Sequence, residues 1–209
     1  MRKLVQTAVA GALAAATLGV GGAGAAVVFS DNFNSYALAY NWKPPPALWT
    51  VPTGSVDLIG ETTSGTDYDF YPGNGGYVDL DGSTNTAGTL ETASTFAAGS
   101  YTLTFDLGGN ARGNGSKTTV ITLGSFTKSI TLPSNAGLDV FTYKFYTTGG
   151  KLSFADLSGG NNNIGNILDD VSLSTGVPEP VTWALMLLGV AGIGASLRRV
   201  RSGAMAAVA

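Results

Sequence analysis

The sequence predicts an all-β protein built as one antiparallel β-sandwich, flanked by an N-terminal signal peptide and a C-terminal transmembrane helix. Three observations lead there. Short apolar runs recur between Gly, Asn and Ser through the middle of the 209-residue chain, which holds 30 glycines. Several of these runs alternate apolar and polar residues at period two, as a strand with one buried face does. Two longer uncharged apolar runs stand at the ends, outside that pattern. Charged residues are only 12% of the chain, yet 44% is apolar, enough to bury a core.

The first element is residues 1–26. Arg2 and Lys3 precede an uncharged run from Leu4 to about Val20, followed by Gly21-Gly22-Ala23-Gly24-Ala25-Ala26. Basic start, apolar stretch and small-residue cleavage site make a secretory signal, cut after Ala25 or Ala26.

Residues 27–176 form the expected extracellular domain. Ser30-Asp31-Asn32-Phe33 opens it. Strand candidates follow at 48–51, 55–59, 76–80 and 88–96. The clearest is 99–107, where Tyr101, Leu103, Phe105 and Leu107 alternate with polar residues. Further candidates are 117–123, 126–132, 138–146, 150–157 and 166–173. Roughly ten short strands with Gly and Asn turns favour an antiparallel sandwich. The runs Gly108–Gly115 and Gly159–Asn163 read as loops between strands, since neither opens a helix.

The last elements are 177–201 and a cytoplasmic tail, 202–209. Val181–Leu197 carries no charge and at ~1.5 Å per residue reaches roughly 25 Å, the short end of a membrane span. Arg198, Arg199 and Arg201 directly after it hold that end inside, so the middle domain lies outside. Trp183 suits the outer membrane interface. The prolines of Val177-Pro178-Glu179-Pro180 keep the preceding segment extended, and Glu179 offers one fixed charge.

Pro178-Glu179-Pro180, then Trp183-Ala184-Leu185-Met186-Leu187-Leu188-Gly189, a small-residue helix and the arginine cluster together resemble the PEP-CTERM sorting signal of the PEPxxWA variety. The resemblance covers 177–201. It implies export in a Gram-negative bacterium, recognition by an exosortase-type transpeptidase at the inner membrane, and delivery to the cell surface or an extracellular polysaccharide matrix. The tail Ser-Gly-Ala-Met-Ala-Ala-Val-Ala is longer than that family's pattern.

The middle domain resembles jelly rolls of the galactose-binding or carbohydrate-binding-module kind. Ser30-Asp31-Asn32-Phe33, Gly76-Tyr77-Val78-Asp79-Leu80-Asp81-Gly82 and Ile167-Leu168-Asp169-Asp170-Val171-Ser172-Leu173 carry that resemblance. It implies binding of extracellular polysaccharide and a structural Ca²⁺ near the last strand.

Candidate site residues follow. By alternation Asp169 shares a face with Ile167 and Val171. An inward carboxylate must be paired, hydrogen-bonded or bound to a cation. Asp169, Asp170, Asp31 and Asp79 form the expected oxygen set for Ca²⁺; the alternative is that Asp169 accepts backbone N–H bonds. Asp79 and Asp81 could flank a glycosidic bond, but Asp-Leu-Asp-Gly also enters turns. Tyr36, Tyr40, Trp42, Trp49, Tyr68, Phe70, Tyr71 and Tyr77 crowd the first half; Tyr40, Trp42, Trp49 and Tyr71 are the rings expected to stack on sugars, core packing being the alternative.

Composition also excludes functions. There is no Cys and no His, hence no disulfide, no Cys or His zinc site and no Ser-His-Asp triad. Residues 27–177 hold thirteen acids against six bases, which argues against nucleic acid as a partner. The expectation is a non-enzymatic surface or matrix protein that binds exopolysaccharide. The alternatives are an exopolysaccharide hydrolase and a ligand-free spacer.

Overall fold

A computed structural model describes residues 25–61, 68–84, 86–157, 162–176, 185 and 188–193. Eleven strands make two sheets: β1 (Val27–Asp31), β2 (Trp49–Thr53), β3 (Asp57–Gly60), β4 (Gly76–Asp79), β5 (Thr89–Thr92), β6 (Gly99–Gly108), β7 (Lys117–Leu123), β8 (Phe126–Leu132), β9 (Asp139–Thr147), β10 (Leu152–Asp156) and β11 (Ile167–Thr175). One sheet runs β3-β4-β11-β6-β9 with β1 also on β11; the other runs β2-β5-β10-β7-β8. All pairings between these strands are antiparallel. The chain is thus a two-sheet antiparallel sandwich. Ten of the strands lie where the sequence pattern predicts them. The eleventh, β1, is a further strand that the pattern did not single out, with only Phe29 buried.

Alternation explains the layers. Tyr101, Leu103, Phe105 and Leu107 of β6 enter the core, as do Ile121 and Leu123 of β7 and Leu152 and Phe154 of β10. Trp49, Phe105 and Phe154 form the aromatic centre: Phe154 meets Trp49 and Phe105 edge-on, at 6.5 and 5.2 Å. β7 and β8 are joined by Gly124-Ser125; Gly124 at φ 56 supplies the positive φ that a two-residue hairpin of this hand needs first.

β11 organises one sheet. Its whole length pairs with β6, its first residues with β4, and its later ones with β1. A bulge between Asp169 and Ser172, with Asp170 at φ 47, shifts its register. This corrects the expected alternation. Leu168, Val171 and Leu173 enter the main core, while Ile167 joins Ile59 and Tyr77 in a second small cluster. Ile167 and Val171 therefore do not share a face.

Both ends of the domain leave at one pole. Ala26 N donates to Thr175 Oγ1 at 3.1 Å, and Thr175 N to Ala26 O at 2.8 Å. Ile167, at the other end of β11, pairs with Asp79 and Gly108. At ~3.3 Å per residue the two poles are roughly 25 Å apart.

Residues 1–24 of the expected signal, and Pro178, Glu179, Pro180, Trp183, Arg198, Arg199 and Arg201 of the expected sorting signal, lie outside the described residues. Residues 188–193 are helical, and Leu188, Val190 and Ile193 expose most of their surface. Among the described residues no helix is long and apolar enough to cross a membrane.

Candidate functional site

A polar cleft of about 380 Å³ lies at the pole away from the two domain ends, over β3 and β4. Its floor holds Asp57, Ile59 and Asp79; its walls are Tyr40, Tyr68, Ser83, Arg112, Asn162 and Asn163. Each wall is held by local backbone chemistry. Ala39 exchanges both backbone hydrogen bonds with Leu58, each at 2.9 Å, and Trp42 N donates to Val56 O at 2.8 Å. That pins residues 39–42 along the edge of β3. The Tyr77 hydroxyl accepts from Phe70 N at 2.5 Å and Tyr71 N at 3.2 Å and donates to Asp69 at 3.1 Å. That fixes the turn behind Tyr68. Asn110 donates to Gly165 O at 2.8 Å and accepts from Arg112 N at 3.1 Å, which aims Arg112 inward.

The floor is electrostatically unusual. Asp57 and Asp79 are direct cross-strand partners, both buried, and like charges so placed repel. Each is satisfied separately. Asp57 accepts from Asn41 N at 2.6 Å, Ser83 N at 2.9 Å and Ser83 Oγ at 2.6 Å. Asp79 meets Arg112 at 2.5 Å and accepts from Asp81 N at 3.0 Å and Gly165 N at 2.8 Å. Burial still pushes the Asp79 carboxyl up to about 7, against the pull of Arg112 and the two amides. The Arg112 guanidinium lies over two rings, 4.8 Å from the centre of Tyr68 and 5.4 Å from Phe70. Tyr40 and Tyr68 are 6.4 Å apart, edge to face, and are 41% and 38% exposed. Two part-exposed rings beside carboxylate, amide, hydroxyl and guanidinium groups can stack on and hydrogen-bond a hydroxylated ligand.

Of the rings expected to stack on sugars, the cleft takes only Tyr40. Trp49 is fully buried and Trp42 nearly so, which corrects the expectation that they present a face to solvent. Phe33 lies against both, stacked with Trp49 and edge-on to Trp42. Tyr71 is half-buried, and its hydroxyl donates to the carbonyls of Gly109 and Ala136. Burial and the nearby Asp139 push that hydroxyl up to about 12. Tyr71 is a bracket between loops rather than a platform.

The four expected metal ligands do not converge. Asp79 belongs to the cleft. Asp31 accepts from Phe33 N at 2.9 Å and from Tyr36 Oη and Trp49 Nε1, both at 2.8 Å, and so anchors the core. Asp169 is buried directly opposite Asp106, and its Oδ1 accepts from Asp170 N at 2.8 Å. Burial first, then the nearby carboxylates of Asp170, Asp106 and Asp31, push Asp169 up to about 7 despite that hydrogen bond. Asp170 is exposed. Among the described residues no three acidic side chains group as metal ligands.

Asp57, Arg112, Asn162 and Asn163 were not singled out from the sequence as site residues, and Tyr68 stood out only as one of the aromatic residues crowding the first half. Four of them sit in or next to Gly- and Asn-rich loops, where spacing carries no periodic signal. The one legible cue is that Arg112 is the sole base between Lys43 and Lys117.

No protein-family model and no curated protein matches the chain. Solved structures do resemble it. The K3 cleaved adhesin domain of Lys-gingipain from Porphyromonas gingivalis aligns with TM-score 0.50 and 16% identity, over 73% of this chain and all of that one. A family 35 carbohydrate-binding module from Clostridium thermocellum aligns with TM-score 0.36 and 10% identity, over 66% and 95%. The module TmCBM61, solved with β-1,4-galactotriose, aligns with TM-score 0.36 and 15% identity, over 61% and 88%. Only the first reaches one half, and at 16% identity it speaks for the fold alone.

Proposed function

We propose that this chain is an exported surface or matrix protein whose β-sandwich binds a neutral, hydroxyl-rich polysaccharide in the cleft between Tyr40, Tyr68 and Arg112. The observation that carries the reading is the pair of part-exposed tyrosines standing over hydrogen-bonding groups already fixed by their neighbours. Preorganised polar groups cost little to order on binding, and flat rings cover sugar faces. Neutral rather than anionic chains fit, because the floor presents two carboxylates and its guanidinium is already committed to Asp79.

The same contacts support reading the site as one that binds without cleaving. Asp57 accepts three hydrogen bonds and Asp79 is held by Arg112 and two amides, so neither is set to act as acid or nucleophile. The sorting reading adds orientation. With residues 1–26 as export signal, and 177–201 recognised by an exosortase-type transpeptidase at the inner membrane, the domain is tethered beside Thr175. The cleft then faces away from the membrane, toward the matrix.

The test is affinity electrophoresis of the full-length chain, in mild detergent, through gels containing individual neutral and anionic exopolysaccharides. Retardation by a neutral glycan, weakened at least about 10-fold (~1.4 kcal/mol) in Tyr68→Ala and Tyr40→Ala, supports the reading. Unchanged retardation in both variants, or none on any glycan, removes it.

A further inference from the structure

Sheet edges are kept from pairing with other chains by prolines, bulges, central lysines and covering segments. Most edges of this sandwich carry such a device. β3 ends one sheet, and Ala39 pairs with its Leu58. β2 ends the other sheet with Pro52 and a break in register between Thr50 and Thr53. β8 has Lys128 at mid-strand, its ammonium 5.5 Å from the centre of the Tyr143 ring. β1 is short, and its register breaks between Val27 and Phe29. β9 differs. It ends its sheet with nine residues that pair with β6 without a break. Among the described residues no backbone hydrogen bond outside that ladder reaches Val140–Tyr146. On its outer face stand Val140 and Tyr146, 67% and 68% exposed, the two most exposed large apolar side chains of the described sandwich. Its inner face presents the partly buried rings of Phe141, Tyr143 and Phe145.

The order of residues along β9 fits a second copy of itself. Two β9 strands laid antiparallel over their full length are centred on Tyr143. In that register Val140 faces Tyr146 of the second copy, Phe141 faces Phe145, Thr142 faces Lys144 and Tyr143 faces its own counterpart. The exposed apolar side chains meet each other, and rings meet rings. Neither Asp139 nor Lys144 meets its like, because Asp139 faces Thr147. Aromatic and apolar pairs of this kind are what stabilise an antiparallel ladder. Two identical strands paired antiparallel are also related by a two-fold axis, so both copies offer the same patch and the assembly closes at two. We infer that the protein forms a two-fold dimer through β9–β9 pairing, which joins the six-stranded sheets of two copies into one. The cleft over β3 and β4 lies at the opposite edge of that sheet, roughly 19 Å from β9 at ~4.8 Å per strand, so pairing leaves it open. The dimer does not depend on what the cleft binds.

The experiment combines sedimentation velocity of the full-length chain, in density-matched mild detergent, with cysteine cross-linking. Wild type is expected to sediment as two chains. Val140→Lys/Tyr146→Lys sets like charges opposite each other and is expected to sediment as one. The chain has no cysteine, so an introduced one reports its own neighbour. Val140→Cys and Tyr146→Cys change exposed side chains that the core does not use. Mixed under mild oxidation, the two variants are expected to cross-link at least about 10-fold faster than either alone, because like positions lie roughly 20 Å apart across the pair. A single-chain wild type overturns the inference. So does a dimer that survives the double lysine variant, since another surface then holds it. Equal cross-linking in mixed and unmixed samples also overturns it, since the strands then do not pair in this register. Should the double lysine variant fail to fold, the cysteine pairing still decides.

Discussion

Asp57 and Asp79 face each other directly across the β3–β4 ladder, both buried, and only Asp79 has a cationic partner, Arg112. Asp57 is held instead by two backbone amides and the Ser83 hydroxyl. The cleft floor thus depends on one guanidinium in a way no surface ion pair does.

Replacing that guanidinium should therefore be expensive. In Arg112→Met, Asp79 keeps its two amide donors but loses the one base that meets it among the described residues. Removing one partner of a buried pair costs about 3–5 kcal/mol when the other cannot neutralise itself. Asp79, pushed to about 7, can take up a proton below that pH. The loss should be largest at pH 8 and smaller at pH 5, and Asp79→Asn/Arg112→Met should recover part of it. Urea denaturation at the two pH values checks this; an equal loss at both would mean the pair is not the cause.

Trp49 should behave as a core residue and not as a sugar platform. Its indole N–H reaches Asp31, which Tyr36 also engages. Trp49→Phe keeps an aromatic ring but removes a hydrogen bond to a carboxylate, a change worth about 1.5–3 kcal/mol. Stability should fall by that order while retardation in glycan gels is unchanged for the folded fraction. A selective loss of glycan retention with no change in Tm would contradict the assignment.

The strands were legible because their signal is local. Tyr101, Leu103, Phe105 and Leu107 announce their buried face by alternation, and they keep it. Asp169 was legible as a buried carboxylate, but its face was not. A bulge adds a residue to the count, and although Asp tolerates a positive φ such as the 47 of Asp170, it does so in too few places for its identity to locate a bulge. The aromatic residues failed for a related reason: composition says that Trp42 and Trp49 are present, not which side of a loop they turn to. The cleft was the least legible part. Asp57, Tyr68 and Arg112 come from segments far apart in the chain, and only the sheet order brings them together.

Gly165 leaves no room for a side chain. A Cβ there would press on Asp81 N, Asp79 Oδ1 and Asp156 Oδ2, all closer than 3.0 Å. Overpacking of this kind costs about 1–3 kcal/mol, and here it would also disturb the amide that Asp79 accepts from. Gly165→Ala should lower Tm and weaken glycan retention together, because the cleft floor depends on that amide. Gly137→Ala, where φ is not positive and the nearest atom to an added Cβ is 3.8 Å away, should leave retention intact. Thermal melts and affinity gels on the two variants side by side separate the outcomes; equal behaviour would show that the contact at Gly165 relaxes.

The pH dependence of stability has a sign that Asp169 sets. Its folded carboxyl is raised to about 7 from an ordinary value of 3.8, chiefly by burial and then by the carboxylates of Asp170, Asp106 and Asp31. A raised acid favours the folded state when protonated, so its contribution is fully present below the unfolded value and is lost as pH rises through about 7. In chelator-containing buffer, wild type should melt higher at pH 5 than at pH 8. Asp169→Asn copies the protonated acid, and its side-chain oxygen can still accept from Asp170 N. The variant should equal wild type near pH 5 and exceed it at pH 8 by about 1–2 kcal/mol, some 2–8 °C in Tm for a chain of this size. Asp79 shifts stability in the same direction in both proteins, so the difference between the two profiles isolates Asp169. Parallel profiles from pH 5 to pH 8 would show that Asp169 stays ionised in the fold, with water or a neighbour supplying what burial withholds.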